Sequence, residues 1–168
     1  DALSVPLQEE IARRFVELIC EMPEEITLCY LRELAVTDFR ERTARYLLEN
    51  LTNEKNANRE KSIWALGAMR VESAIPKLME ALQGKEPYVR FAAVGALREM
   101  RVESAVPKLM EALQDKDANV RSAAMFALGE MRVESAVPKL MDALKDKVSF
   151  VRLAAARALG EMRVASAV

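Results

Sequence analysis

The 168 residues contain no histidine. That removes the commonest general base and the commonest transition-metal ligand together. Cysteine is scarce: Cys20 and Cys29 are the only two. They lie nine apart, on what read as different helices, so no disulfide framework is expected. They read as buried free thiols in a reducing, cytoplasmic compartment. Only five glycines are present, and none forms a phosphate-cradling loop. Charge of one sign is missing as well. Lys and Arg number 25 against 26 Asp and Glu, a net charge of −1. That balance offers no field to gather nucleic acid or an anionic membrane. No apolar run approaches the ~18–20 residues of a membrane span, and no leader pattern opens the chain. The paired carboxylates Glu9-Glu10 and Glu24-Glu25 read as helix starts that complement the dipole. No catalytic constellation, metal set or cofactor motif is read.

What the chain does contain is one phrase said three times. Met69–Gln83 reads MRVESAIPKLMEALQ, Met100–Gln114 MRVESAVPKLMEALQ, and Met131–Lys145 MRVESAVPKLMDALK. A fourth copy begins at Met162 and stops at Val168. The spacing is 31 residues each time. A fixed period of this size marks an array of supersecondary units, none able to bury its apolar face alone. With 51% hydrophobic and 30% charged residues, the chain is neither disordered nor membrane-like.

Residues 1–40 fall outside the period and read as an N-terminal helical cap. Leu7, Ile11, Phe15, Leu18, Ile19 and Met22 recur at helical spacing. Pro23 restarts the chain into a second helix, roughly Glu24–Leu34. Asp38 with Glu41 reads as a capping box opening a third helix to about Leu51. That helix already matches the repeat in worn form, so units are expected at 41–72, 73–103, 104–134 and 135–162, with a truncated fifth at 163–168. In the clearest unit the first helix is about Glu103–Gln114, with Val106, Leu109, Met110 and Leu113 inward. The second is about Asn119–Met131, with Val120, Ala123, Ala124, Ala127, Leu128 and Met131 inward. Gly129 and Gly160 read as weak points near the ends of second helices.

The stretches AVPKLMEALQD and VRxAAxxAL resemble the HEAT repeat in its short, bilin-lyase-like form. The same pattern underlies artificial HEAT-like repeat libraries. The resemblance covers about 42–168 and implies a right-handed α-solenoid whose second helices line the concave face. It also implies a turn ladder of Asp115 with Arg121 and Asp146 with Arg152, departing at Gly84 and Asn53. The loop Met-Arg-Val-Glu-Ser stands where the family commonly has Gly-Asp, so a tight turn is not assured there. The fold class is therefore all-α. The irregular cap and worn first unit argue for a natural origin over design from a consensus.

The functional signal lies where the repeat fails to repeat. Along the second helices three rows vary: Ala57, Tyr88, Asn119, Phe150; then Glu60, Phe91, Ser122, Leu153; then Trp64, Gly95, Phe126, Arg157. Five of the nine aromatic residues fall in these rows. Trp64, Tyr88, Phe91, Phe126, Phe150 and Leu153, with Glu60 and Arg157 at the edges, are expected to bind a protein or peptide partner. The competing reading is that some of them pack between units. The lysine row Lys77, Lys108, Lys139, beside Glu80, Glu111 and Asp142, reads as a solvated face. The expected function is a non-enzymatic scaffold without nucleic acid or membrane partners. The alternative implied by the resemblance is an accessory subunit of a phycobilin lyase. The chain begins at Asp1 without Met and stops inside a copy, so a longer parent is expected. Otherwise the uncapped C-terminal edge is expected to be covered by another chain, as in a homodimer.

Overall fold

The computed structural model describes residues 4–22, 37–53 and 57–162. Every regular element among them is helical. The α-helices are α1 (Val5–Glu21), α2 (Thr37–Thr52), α3 (Arg59–Ala68), α4 (Ile75–Ala81), α5 (Pro87–Glu99), α6 (Val106–Ala112), α7 (Ala118–Glu130), α8 (Val137–Ala143) and α9 (Ser149–Glu161). The helix expected at 24–34, and Cys29 with it, lie outside the described residues. The helices α3, α5, α7 and α9 stack on one another in chain order. The short helices α4, α6 and α8 each lie against the long helix that follows. At the other end α2 packs on both α1 and α3. The architecture is an all-α solenoid.

Proline shapes the short helices. Each begins with Pro in its first two positions, where the missing amide is an orphan in any case. The first helix expected at Glu103–Gln114 is accordingly shorter. Pro107 has no N–H for the Glu103 carbonyl, so Val106 N–H takes it instead in a one-turn 3₁₀ segment, Glu103–Ala105. Seven residues of α-helix follow. The capping box at Asp38 is not formed either. Asp38 lies inside the first turn of α2, and its carboxylate accepts from Arg42 Nε at 3.1 Å.

The tight turn after each long helix forms without glycine. Arg70, Arg101 and Arg132 adopt φ of 50°, 52° and 53°. After α5, Arg101 N–H donates to Arg98 O at 2.9 Å and Val102 N–H to Leu97 O at 3.1 Å. That pair of bonds is the Schellman arrangement. The left-handed residue costs about 1–2 kcal/mol without glycine. Buried Val71 and Val102 anchor the first two turns against this cost.

The glycines go elsewhere. Gly129 stands near the end of α7, as expected, at its penultimate position, and it is buried there. A Cβ there would lie 2.8 Å from Ala158 Cα, and one at Gly67 2.7 Å from Ala96 Cα. Glycine on one long helix and alanine on the next set the close approach of the stack. Such helices are apolar almost all round, because neighbours flank them on both sides. Val94 and Met125, absent from the expected core, are fully buried for that reason.

The arginine ladder also differs from expectation by one unit. Arg121 does not pair with Asp115. It donates from Nη1 to the Asp115 and Lys116 carbonyls, at 2.9 and 3.3 Å, and forks onto Asp146 of the next turn at 2.9 and 3.0 Å. Arg90 does the same with the carbonyls of Gly84 and Lys85 and the carboxylate of Asp115. The stem of each arginine reaches past its own turn, so the fork joins two units. Where the rung would need an acid at Gly84, Arg59 Nη1 takes Glu86 at 3.3 Å instead. Arg152 has its own turn carbonyls, from Asp146 and Lys147, and is exposed.

Burial raises the Asp115 carboxyl, but the Arg90 fork and the Asp117 amide outweigh it and hold the pKa below the usual carboxylate range. Asp146 is held down chiefly by Arg121, then by the Val148 amide. Depressed folded-state values mean that this stabilisation is full above the unfolded pKa of about 4 and fades as pH falls below it. Asp115→Asn/Asp146→Asn should lower stability at neutral pH by about 2–4 kcal/mol. It should also flatten the loss of stability in denaturant titrations from about pH 4 downward.

Candidate functional site

Most residues of the variable rows fall on the strip of each long helix that its neighbours leave partly open, while Gly95 is buried beneath Trp64. In α5 that strip is narrow, because Ala92 through Leu97 are buried without a break. The stack therefore presents α3, α5, α7 and α9 side by side, each contributing one or two side chains to a shared face. Trp64, Phe91, Phe126 and Phe150 line one groove of about 260 Å³ across this face. These four expected residues are brought together from four successive long helices.

The row Trp64, Gly95, Phe126, Arg157 is coupled from unit to unit. The Trp64 ring lies over Gly95, where a Cβ would sit 2.1 Å from Cη2 and 2.3 Å from Cζ3. Trp64 also meets Phe91 edge-on, with centroids 6.0 Å apart. One helix further on, the Arg157 guanidinium stands 5.3 Å from the Phe126 centroid, and its Nε donates to Glu161 at 2.9 Å. Each large ring thus leans toward the residue 31 places later in the row. The reading that some of the aromatics pack between units holds in part. Trp64 and Phe91 are half-buried between units, while Tyr88, Phe150 and Leu153 are 49%, 44% and 70% exposed. Tyr88, Leu153, Glu60 and Arg157 do not line the groove. Glu60 sits half-buried in the first turn of α3.

Six further residues complete the lining: Val94, Gly95, Arg98, Asn119, Ser122 and Ala123. Gly95 forms its floor, and Arg98, Asn119 and Ser122 supply polar groups. Gly95, Asn119 and Ser122 belong to the variable rows, so the signal was the row itself. An eye for aromatics passes over the small residues that make room for them. Arg98 is loosely engaged, 3.7 Å from Glu130. An apolar walled groove with a few polar groups can take one or two apolar side chains and orient the backbone that carries them.

Other features have structural explanations. Glu9 clasps α1 to α2, accepting from Arg45 Nη2 at 2.8 Å, from the Tyr46 hydroxyl at 2.9 Å, and from Arg42. The free thiol of Cys20 is buried, and burial pushes its pKa up, so it is no activated nucleophile. Lys77 pairs with Glu80 at 2.8 Å on an open face. A groove of about 580 Å³ between α2 and the loop after α3 mixes Arg40, Arg45 and Arg70 with Glu41 and Glu72. Two of those arginines are already committed, Arg40 to the Met69 carbonyl and Arg45 to Glu9. Among the described residues no group of three His, Cys, Asp or Glu could hold a metal, and no helix is long and apolar enough to cross a membrane.

Trp64 is the only tryptophan, so its emission reports this groove alone. Gly95→Ala should displace the indole from its seat and shift the emission to the red. An unshifted spectrum in a folded Gly95→Ala protein would refute the contact.

No curated protein matches the chain in sequence. Among solved structures it is similar to the complex of CpcE and CpcF of phycocyanin lyase from Nostoc sp. PCC7120. The TM-score is 0.60 at 24% identity, over 84% of this chain and 65% of that one. An engineered protein aligns with a TM-score of 0.60 at 18% identity, over 96% of this chain and 92% of that one. YibA from Escherichia coli aligns with a TM-score of 0.60 at 21% identity, over 95% of this chain and 64% of that one. The chain therefore spans less than two thirds of the lyase-complex chain and of the YibA chain. At these identities the likeness concerns the fold. The family model for HEAT repeats matches residues 44–124 and 106–168. Carrying that model over most of its length, the chain belongs to the HEAT-repeat family.

Proposed function

We propose that this protein is a non-enzymatic scaffold that binds a protein or peptide through the face formed by its long helices. On this reading residues 1–40 cap one continuous array, 41–168, and the long-helix face is the concave side. The observation that supports it is the shared groove: Trp64, Phe91, Phe126 and Phe150 converge around a floor made by Gly95. Aromatic anchors gathered at the centre of a surface, with polar groups at hand, are the usual composition of a binding hot spot. Tyr88, Leu153, Glu60 and Arg157 extend the contact as a rim. Partners that depend on a large positive field are disfavoured by the charge balance.

Phe126→Ala and Phe150→Ala should each weaken partner binding by about 1–2 kcal/mol, or about 5- to 30-fold. The fold should persist, because neither ring is fully buried. Lys108→Ala, on the opposite helix set, should leave affinity unchanged. Equal affinity for all three variants in a calorimetric titration would overturn the reading.

A second reading has one specific support, the likeness to the phycocyanin lyase complex. There the chain would serve as an accessory subunit of a chromophore lyase. Titrating free bilin and recording its visible spectrum separates the two readings. A bound-state absorbance change supports the accessory-subunit reading, and an unchanged spectrum supports the scaffold alone.

A further inference from the structure

The groove lies where α5 breaks the pattern of the other long helices. In α3, α7 and α9 a large side chain is followed three residues later by glycine: Trp64 and Gly67, Phe126 and Gly129, Arg157 and Gly160. In α5 the two have changed places, giving Gly95 and then Arg98. Gly67 and Gly129 seat Ala96 and Ala158 of the following helix. Arg98 holds that register in α5, and a side chain there excludes the same close approach. Accordingly α5 touches α7 less extensively than α3 touches α5 or α7 touches α9. The groove opens along this looser seam, and α5 and α7 supply most of its lining.

The exchange also sets the charge of the groove. Among the described residues that line it, Arg98 alone is charged. Its ion-pair partner Glu130 stands outside the lining, 3.7 Å away. Glu60 of α3 and Glu99 of α5 stay outside it too. The other guanidinium beside the aromatics, Arg157, stacks on Phe126 and already holds Glu161 at 2.9 Å. Among the described residues no hydrogen bond engages the Arg98 guanidinium, the Asn119 side-chain amide or the Ser122 hydroxyl. A guanidinium in an apolar groove, with five donors and one loose partner, suits a carboxylate. A basic side chain entering there would meet repulsion and no counter-charge in the lining.

We infer that the groove selects an acidic segment of its partner. The occupant is an extended stretch of another protein whose aromatic or large aliphatic side chain enters among Trp64, Phe91 and Phe126, and whose Asp or Glu reaches Arg98. Asn119 and Ser122 are at hand to bond its backbone. Val94 and Arg98 lie one helical turn apart in the lining, about 6 Å along α5. Alternate residues of an extended chain share a face at a spacing of about 6.5 Å. The acid therefore stands two places from the apolar anchor. This inference names the partner's chemistry and rests on the scaffold reading, since the groove must first bind a partner at all.

The test pans a display library of random short peptides on the wild-type chain and on Phe126→Ala. Peptides that bind the first and not the second use the groove. They should be enriched in an aromatic or large aliphatic residue with Asp or Glu two places away. The tightest of them is then synthesised and titrated by calorimetry. Replacing its acid with the matching amide should weaken binding to the wild type about tenfold. The same replacement should change binding to Arg98→Gln less than about twofold, because the partner of the acid is already gone. Circular dichroism checks that both variants fold, and the change in the peptide needs no variant of the protein. Groove-dependent peptides without an acid, or a tenfold loss that persists in Arg98→Gln, overturn the inference and leave the scaffold reading standing. Recovery of no peptide that depends on Phe126 overturns both.

Discussion

The contact between successive units carries this structure. A seven-residue helix and a thirteen-residue helix cannot bury enough surface to stand alone. What makes them a protein is the approach of one long helix to the next, close enough that glycine meets alanine. The arginine fork reinforces it, because the guanidinium groups of Arg90 and Arg121 each tie their own turn to the next one. Neither device works inside a single unit. Stability is therefore cooperative along the array, and an end without a neighbour is a different chemical object from the middle.

The same constraint positions the candidate site. Long helices flanked on both sides have little free surface, and what remains is a narrow strip on each. Side by side, the strips make one continuous face, and a side chain on one helix leans toward the same row on the next. Trp64 can lie flat because position 95 has no side chain. Phe126 keeps a free face because Arg157 stacks on it without covering it. The groove is thus a product of differences between units rather than of any unit by itself. Conservation of the scaffold residues from copy to copy within the chain is what allows the variable rows to differ without loss of the fold.

Both the short 3₁₀ turns and the left-handed arginines show local chemistry bending to this packing. Pro76, Pro107 and Pro138 start each short helix late. Arg70, Arg101 and Arg132 hold a conformation that suits glycine better, because the chain must reverse there to lay the next short helix against the stack. Inside the long helices Gly67, Gly95 and Gly129 are placed for close contact between neighbours. After α3, α5 and α7 the left-handed turn falls to arginine instead.

By itself the sequence determined the period, the helix pairs and the all-α class, because hydrophobic spacing and repeated turns are local and recur on the page. It also picked out the rows in which the aromatics stand. Tertiary structure alone decided the rest. Spacing cannot tell which arginine meets which aspartate, and the long side chain reaches the following turn, pairing Arg121 with Asp146 instead of Asp115. Spacing placed Gly129 near a helix end but could not show that it seats Ala158, because that role depends on a neighbour 29 residues away. Val94 and Met125 fell off the expected stripe because their burial comes from the adjoining unit. The groove floor at Gly95 was legible only as a gap in a row of large residues. Each of these depends on distances between helices, and those are fixed by the summed packing of many side chains that no single segment contains.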